Sequence, residues 1–158
     1  MNKDIEKNIP DIKERISILI PTYNVIKYLG ECLDSIVSQS YKNFEIIICD
    51  DHSKEVEFDK IKSIVSKYNG ICESISLHRN ETNLGYQRNW NKCIELAKTE
   101  MIHILHADDV FHDSEVISKL VRFLDDNKDF ALVGGLVDII DAKGKLNTAP
   151  YGNGYKVW

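Results

Sequence analysis

Two stretches decide the fold: Ile16-Ser17-Ile18-Leu19-Ile20-Pro21-Thr22-Tyr23-Asn24 and Phe44-Glu45-Ile46-Ile47-Ile48-Cys49-Asp50-Asp51-His52-Ser53. Each is a short, β-branched apolar run that stops at a polar turn. Apolar residues at successive positions, without alternation, read as a strand buried on both faces, which is the mark of a parallel sheet. Weaker runs come at 74–77, 101–105 and 130–133. Between the runs the apolar spacing becomes helical. Val25, Tyr28, Leu29, Cys32, Leu33, Ile36 and Val37 form one such series; Phe58, Ile61, Ile64, Val65 and Tyr68 form a second, with Gly70 as its stop. Trp90, Cys93, Ile94 and Ala97 mark a third helix. Val116, Ile117, Leu120, Val121 and Leu124 mark a fourth, with Asp113 or Ser114 expected as its N-cap. The order β-α-β-α-β-α-β-α-β predicts an α/β fold: a Rossmann-like, doubly wound, mostly parallel sheet with helices on both faces. Residues 141–145 read as a turn.

Composition narrows the function. The chain has 158 residues, 43% hydrophobic and 28% charged, with a formal charge of −5. That suits one soluble domain with a real core. The negative balance argues against nucleic acid as a partner, since such binding needs a basic face. No apolar run approaches the ~20 residues of a membrane span. The first fifteen residues are charged, include Pro10 and lack the apolar core of a secretory signal. The four cysteines, at 32, 49, 72 and 93, are widely and irregularly spaced, which suits small buried side chains in a reducing compartment better than a zinc site.

In an open α/β sheet, ligands bind beyond the carboxyl ends of the strands, so the chemistry is sought in the segment after each run. These segments are Pro21-Thr22-Tyr23-Asn24, Asp50-Asp51-His52-Ser53, Asn83 to Asn89, and His106-Ala107-Asp108-Asp109. No glycine-rich phosphate loop is present after the first run, and no Gly-Lys-Ser/Thr occurs anywhere. Tyr23 could stack on a base; alternatively, Pro21 ends the strand and Tyr23 packs on the next helix. Of Asp50 and Asp51, one can cap the following helix and the other can accept from a base or a ribose. Asp108 and Asp109, if not merely a solvated loop, offer the oxygen ligands a divalent cation prefers beside a diphosphate. His103 and His106 leave opposite faces of a strand, so they do not share a metal. His106 and Asp108 share a side if the chain stays extended there. Gly85 permits positive φ, and Arg88 is expected in the first turn of the third helix, as a diphosphate partner or a plain surface arginine.

Taken together, the Pro21-Thr22-Tyr23-Asn24 turn, the Asp50-Asp51-His52-Ser53 turn and the Asp108-Asp109 pair resemble the family 2 glycosyltransferases of the GT-A fold, over residues 15 to about 145. The resemblance implies an enzyme that moves a sugar from a nucleotide-diphosphate donor, a UDP-sugar, to a glycan or lipid acceptor in surface polysaccharide synthesis. It implies that Pro21 and Tyr23, with Asn24 in the same turn, line the base pocket. Asp51 would bind the uracil edge, Asp50 would shape that turn and Arg88 would meet the diphosphate. Asp108 and Asp109 would form the metal site for Mg²⁺ or Mn²⁺. It implies a cytoplasmic location, with room for peripheral association at the inner face of the membrane.

Three departures stand out. His106 occupies a place where the family often has Asp. The stretch from Asn83 to Asn89 is shorter than its family counterpart. Family members also continue well past this point, and their catalytic base and acceptor pocket lie in that later half. The chain therefore reads as a charged tail over 1–14, a nucleotide-sugar-binding domain over 15–145, and, at 146–158, the start of a missing acceptor-side region. It reads as truncated at the C-terminus, and no catalytic base is assigned. The alternative function is a non-catalytic nucleotide-sugar-binding remnant. A nucleotidyltransferase ranks below both, because the turn after the first run lacks the glycine-rich, basic loop it would need.

Overall fold

In the computed structural model, which describes residues 15–72 and 74–146, β1 (Ile16–Thr22) and β2 (Phe44–Asp50) are buried at every position. The other elements are α1 (Leu29–Val37), α2 (Glu55–Ser66), β3 (Ile75–Arg79), α3 (Tyr86–Leu96), β4 (Met101–Ile104) and α4 (Val116–Asp126). The four strands form one sheet in the order β3-β2-β1-β4, and every pairing is parallel. Two-sided burial explains why β1 and β2 carry nearly unbroken apolar runs while the edge strands β3 and β4 carry weaker ones. The tail at 1–14 and residues 147–158 lie outside the described residues.

Pleating sends alternate side chains to opposite faces. Ile18, Ile20, Ile46 and Ile48 face a core closed by Leu29, Cys32, Leu33 and Ile36 of α1, Ile61 and Val65 of α2, and Ile117 and Val121 of α4. Each large aliphatic side chain buried there is worth roughly 1.5–3 kcal/mol. Leu19, Ile47 and Cys49 face the other way, onto Cys93 and Leu96 of α3. Helices thus cover both faces, as expected, with α3 alone on its side among the described residues. The chain runs outward from β1 to β3, then crosses back through α3 to place β4 on the far side of β1. The strand order reverses between β1 and β4, and in sheets of this kind that reversal point is where ligands bind.

Two expectations are corrected. Residues 130–133 form no strand. Leu132 is 84% exposed, and Phe130 packs edge-on against Phe123 at 5.5 Å instead. An apolar run becomes a strand only where a neighbour accepts its hydrogen bonds, and among the described residues none pairs with the outer edge of β4. The N-cap of α4 is neither Asp113 nor Ser114 but Glu115. The buried Ile117 N–H donates to Gln39 Oε1 at 3.1 Å, and Gln39 Nε2 donates to Asp113 O at 2.7 Å. A side chain from the end of α1 thus satisfies an amide at the start of α4, a partnership that local sequence does not reveal. The turn at 141–145 is present, with Asp141 Oδ1 accepting the N–H groups of Lys143 and Lys145 and Gly144 at φ +77°.

Candidate functional site

The register of the sheet sets the site. Thr22 lies beside Asp50, and Asp50 beside Arg79, so three strand ends finish level. Asp50 is fully buried and accepts from the Ser53 N–H at 3.0 Å and from the Ser53 hydroxyl. Its other neighbour is Arg79, whose Nε lies 3.5 Å from Asp50 Oδ2. Arg79 also donates to Ser53 O and to Glu55 Oε2, each at 2.7 Å, and lies over the Phe58 ring at 4.3 Å. Asp50 is thus a turn-shaping carboxylate, neutralised by an arginine from the next strand. The Ser53 hydroxyl in turn accepts the Asn24 N–H at 2.8 Å, which ties the β1–α1 turn to the β2–α2 turn. Asn24 and His52 both hold positive φ, +54° and +62°. Such backbone costs free energy and persists where surroundings enforce it, often at functional sites.

Asp51 organises the opposite wall. It is 3% exposed and accepts three hydrogen bonds: from Asn80 Nδ2 at 2.9 Å, Leu84 N at 2.8 Å and Gly85 N at 2.9 Å. Asn83 Nδ2 donates to its backbone oxygen at 3.0 Å. Bonds to an ionised acceptor are the strong ones, so this carboxylate holds the 80–85 loop in place. Gly85 sits at φ 82°, ψ 158°, a region essentially reserved for glycine, and leads directly into α3. Asn80 also donates to Asn89 Oδ1, and Asn89 Nδ2 to Cys49 O, which joins the loop, α3 and β2 in one network. Sequence reasoning missed Asn80, Asn89 and Arg79 as positioning residues. Arg79 and Asn80 follow the third run, at the same sheet edge as the aspartates, and that placement was the available signal.

Asp108 and Asp109 lie beyond β4, at the reversal point. The chain turns there, with Asp109 N–H donating to His106 O at 3.0 Å, so it is not extended and the shared side expected for His106 and Asp108 does not arise. Both aspartates are exposed. Partial burial of the Asp109 carboxyl, and then the charge of Asp108, push its pKa up, with His106 offsetting in part. The same two charges, after burial, help hold the Cys32 thiol up at about 12, so Cys32 stays protonated. Two open clefts meet at Asp108. One, of ≈ 560 Å³, runs along Asn24, Lys27, Tyr28 and Lys60. The other, of ≈ 500 Å³, passes Tyr28, Glu31, Asp109 and the 137–144 segment. Both are of ligand size. An apolar cleft of ≈ 310 Å³ between Ile16, Met101, Ile117 and Leu132 lies at the opposite ends of the strands, away from these polar groups.

The remaining expected residues are more scattered. Pro21 is buried within β1, and Tyr23 is half exposed beside it. Arg88 is in the first turn of α3, exposed, and makes no ion pair among the described residues. Asn24 and Asp50 belong to one bonded network through Ser53, and Asn24 shares a cleft with Asp108. Arg88 stands outside that network. His106 lies against Trp90 and His103 against Phe111, with ring centroids 5.0 and 5.1 Å apart. Among the described residues no helix is long and apolar enough to cross a membrane.

Comparison with known proteins gives a consistent result. The family model described as glycosyl transferase family 2 matches residues 17–151. An uncharacterized glycosyltransferase of Methanocaldococcus jannaschii, MJ1057, is 32% identical over 135 residues, 85% of this chain and 45% of its own. The amylovoran biosynthesis glycosyltransferase AmsB of Erwinia amylovora is 36% identical over 106 residues, 66% of this chain and 34% of its own. Among solved structures, TarS 1-349 of S. aureus in complex with UDP-GlcNAc superposes with a TM-score of 0.64 at 27% identity, covering 72% of this chain and 32% of that one. The chain spans less than half the length of these relatives.

Proposed function

This chain belongs to glycosyl transferase family 2, and from that membership we propose that it binds a nucleotide-sugar donor, a UDP-sugar, for transfer to a glycan or lipid acceptor in polysaccharide synthesis. The observation that carries the reading is the meeting of two ligand-sized clefts at Asp108, where the strand order reverses, with the Asn24–Ser53–Asp50 network on one flank. Pro21, Tyr23 and Asn24 form one wall of the base pocket. Asp51 would meet the base edge with the one acceptor position that its three bonds leave unused, since a carboxylate offers about four. Arg88, without an ion pair among the described residues, is the diphosphate partner. The relatives support the class: TarS was solved with UDP-GlcNAc, and AmsB takes its name from the biosynthesis of amylovoran.

Asp108 and Asp109 fit a divalent cation. Two adjacent carboxylates without a cationic partner among the described residues are the oxygen donors that Mg²⁺ or Mn²⁺ prefers. Mg²⁺ in particular is commonly held by one or two carboxylates together with substrate phosphates rather than by an all-protein cage. When bound, the ion would neutralise charge on the leaving diphosphate. This chain's own groups bind the base, hold its turn rigid and keep the acidic pair at the reversal point. The work is peripheral to a membrane if the acceptor is a lipid.

The test is calorimetry of UDP with the chain, in Mn²⁺ and in EDTA, for the natural sequence and for a D108N/D109N variant. Binding should require the cation and weaken sharply in the variant. Equal affinity in Mn²⁺ and EDTA would remove the metal role, and no UDP binding in either would overturn the donor assignment.

A further inference from the structure

Beside the polar site stands a group of rings to which neither the motifs nor the family match gives a task. Tyr86 and Trp90 are four residues apart on α3, so they share one face of the helix. Their centroids are 5.9 Å apart at 71°. Trp90 meets His106, across the gap at the end of β4, at 5.0 Å and 51°. The three form a herringbone that joins α3 to the β4–α4 turn. One end comes directly after Gly85, whose N–H is held by Asp51. The other end carries the carbonyl that accepts the Asp109 N–H. The array therefore runs from the base side of the site to the acidic pair.

Its chemistry is specific. Tyr86 is 68% exposed although it is a large ring, whereas aromatic side chains usually bury most of their area. A ring face carries negative potential and its rim here carries polar atoms: the phenol hydroxyl, the indole N–H and the imidazole nitrogens. A phosphate finds no positive charge on such a surface, and three rings are too small an area for a protein interface. A pyranose matches it, with a face of C–H groups to lie on the ring and hydroxyls around its edge to bond at the rim.

We propose that the Tyr86–Trp90–His106 array is a pyranose-binding shelf, with Tyr86 as the stacking ring. The assignment rests on the nucleotide-sugar reading above and deepens it. The sugar comes either from the donor or from the acceptor, and both present the same ring.

The experiment uses the 158-residue chain, with Tyr86→Ala and Tyr86→Phe as variants. Calorimetry in Mn²⁺ compares UDP with UDP-glucose and UDP-N-acetylglucosamine. A second arm follows the Trp90 indole N–H by NMR, assigned with Trp90→Phe, during titration with the methyl pyranosides of glucose, galactose and N-acetylglucosamine. If the shelf holds the donor sugar, Tyr86→Ala weakens the UDP-sugars by about fivefold, the size expected for a ring contact, and leaves UDP alone unchanged; Tyr86→Phe restores the affinity. If it holds the acceptor sugar, the UDP-sugars are unaffected, while a pyranoside shifts the Trp90 signal in the natural chain and not in Tyr86→Ala. The shelf is overturned if Tyr86→Ala alters neither arm. Should UDP itself fail to bind, the donor reading falls, and the pyranoside titration still decides the shelf.

Discussion

Replacing Asp51 by Asn tests the central wall of the site, because it keeps shape and removes charge. The carboxylate accepts three hydrogen bonds while 3% exposed. An amide has a single oxygen. Placed at Oδ1, it keeps the bonds from Asn80 and Leu84 but turns each from a charge-assisted bond of about 1.5–3 kcal/mol into a neutral one of about 0.5–1.5 kcal/mol. Its NH₂ then faces the Gly85 N–H, donor against donor; the Gly85 N–H falls back on its longer bond to Asn83 Oδ1 at 3.2 Å, and the buried NH₂, an unsatisfied donor, costs about 1–3 kcal/mol. A neutral amide is easier to bury than a carboxylate, which offsets part of the loss. The net expectation is a destabilisation of about 2–3 kcal/mol, a large share of the roughly 5–15 kcal/mol typical of a domain. For a chain of this size that lowers Tm by roughly 5–10 °C. Urea unfolding followed by circular dichroism measures it, with Asp59→Asn as the control. Asp59 is an exposed partner of Lys62 at 2.6 Å, a pair worth about 0.3–0.5 kcal/mol. Hydrogen exchange should also quicken at Leu84 and Gly85. If the two variants unfold within about 0.5 kcal/mol of each other, Asp51 does not hold the loop and the reasoning fails.

The other expectations rest on single contacts. Burial lowers the His103 pKa from 6.5, so the neutral ring favours the folded state; its contribution is full above pH 6.5 and is lost as pH falls from there through the lower folded value. His103→Phe should flatten the stability curve below about pH 6.5, and parallel curves for the two proteins would count against the assignment. Gln39→Leu strands the buried Ile117 N–H and frees the Asp113 carbonyl to water and should cost about 1–3 kcal/mol; no loss would show that α4 finds another partner. Gly85→Ala meets no atom within 4 Å but keeps φ at +82°, so strain alone should destabilise by about 1–3 kcal/mol. Gly30→Ala in α1, equally uncrowded, should instead gain about 0.5–1 kcal/mol. Thermal melts of the two glycine variants should move in opposite directions.

The sheet was legible because its two central strands carry their burial as composition: both are buried at every position, and apolar residues fill most of them. The segment at 130–133 was misread because apolar content says nothing about whether an edge offers it a hydrogen-bond partner. The cap of α4 was misread because its acceptor, Gln39, is 78 residues away from Ile117 in sequence. In the site, Asp50 and Asp51 were visible as a pair at a strand end, and the Asp50 carboxylate bonds within its own turn, to Ser53. What could not be read was that Asp51 also fastens the following loop, because its donors are two backbone amides and an asparagine on the next strand's exit. Backbone donors have no letter in the sequence.

α3 is the sole cover on its side of the sheet among the described residues, and this gives the molecule a phase lock. Cys93 and Leu96 fix the helix's rotation against Leu19, Ile47 and Cys49. That rotation in turn dictates where Tyr86, Arg88, Asn89 and Trp90 emerge. Each residue advances a helix by about 100°. Deleting one residue between Arg79 and Tyr86 would leave that packing face in place and instead draw Leu84 and Gly85 off the Asp51 carboxylate that holds them. The spacing from Asn80 to Gly85 is thus information in its own right, a length rather than a composition: it carries the backbone from the exit of β3 to the point where Asp51 fastens the start of α3.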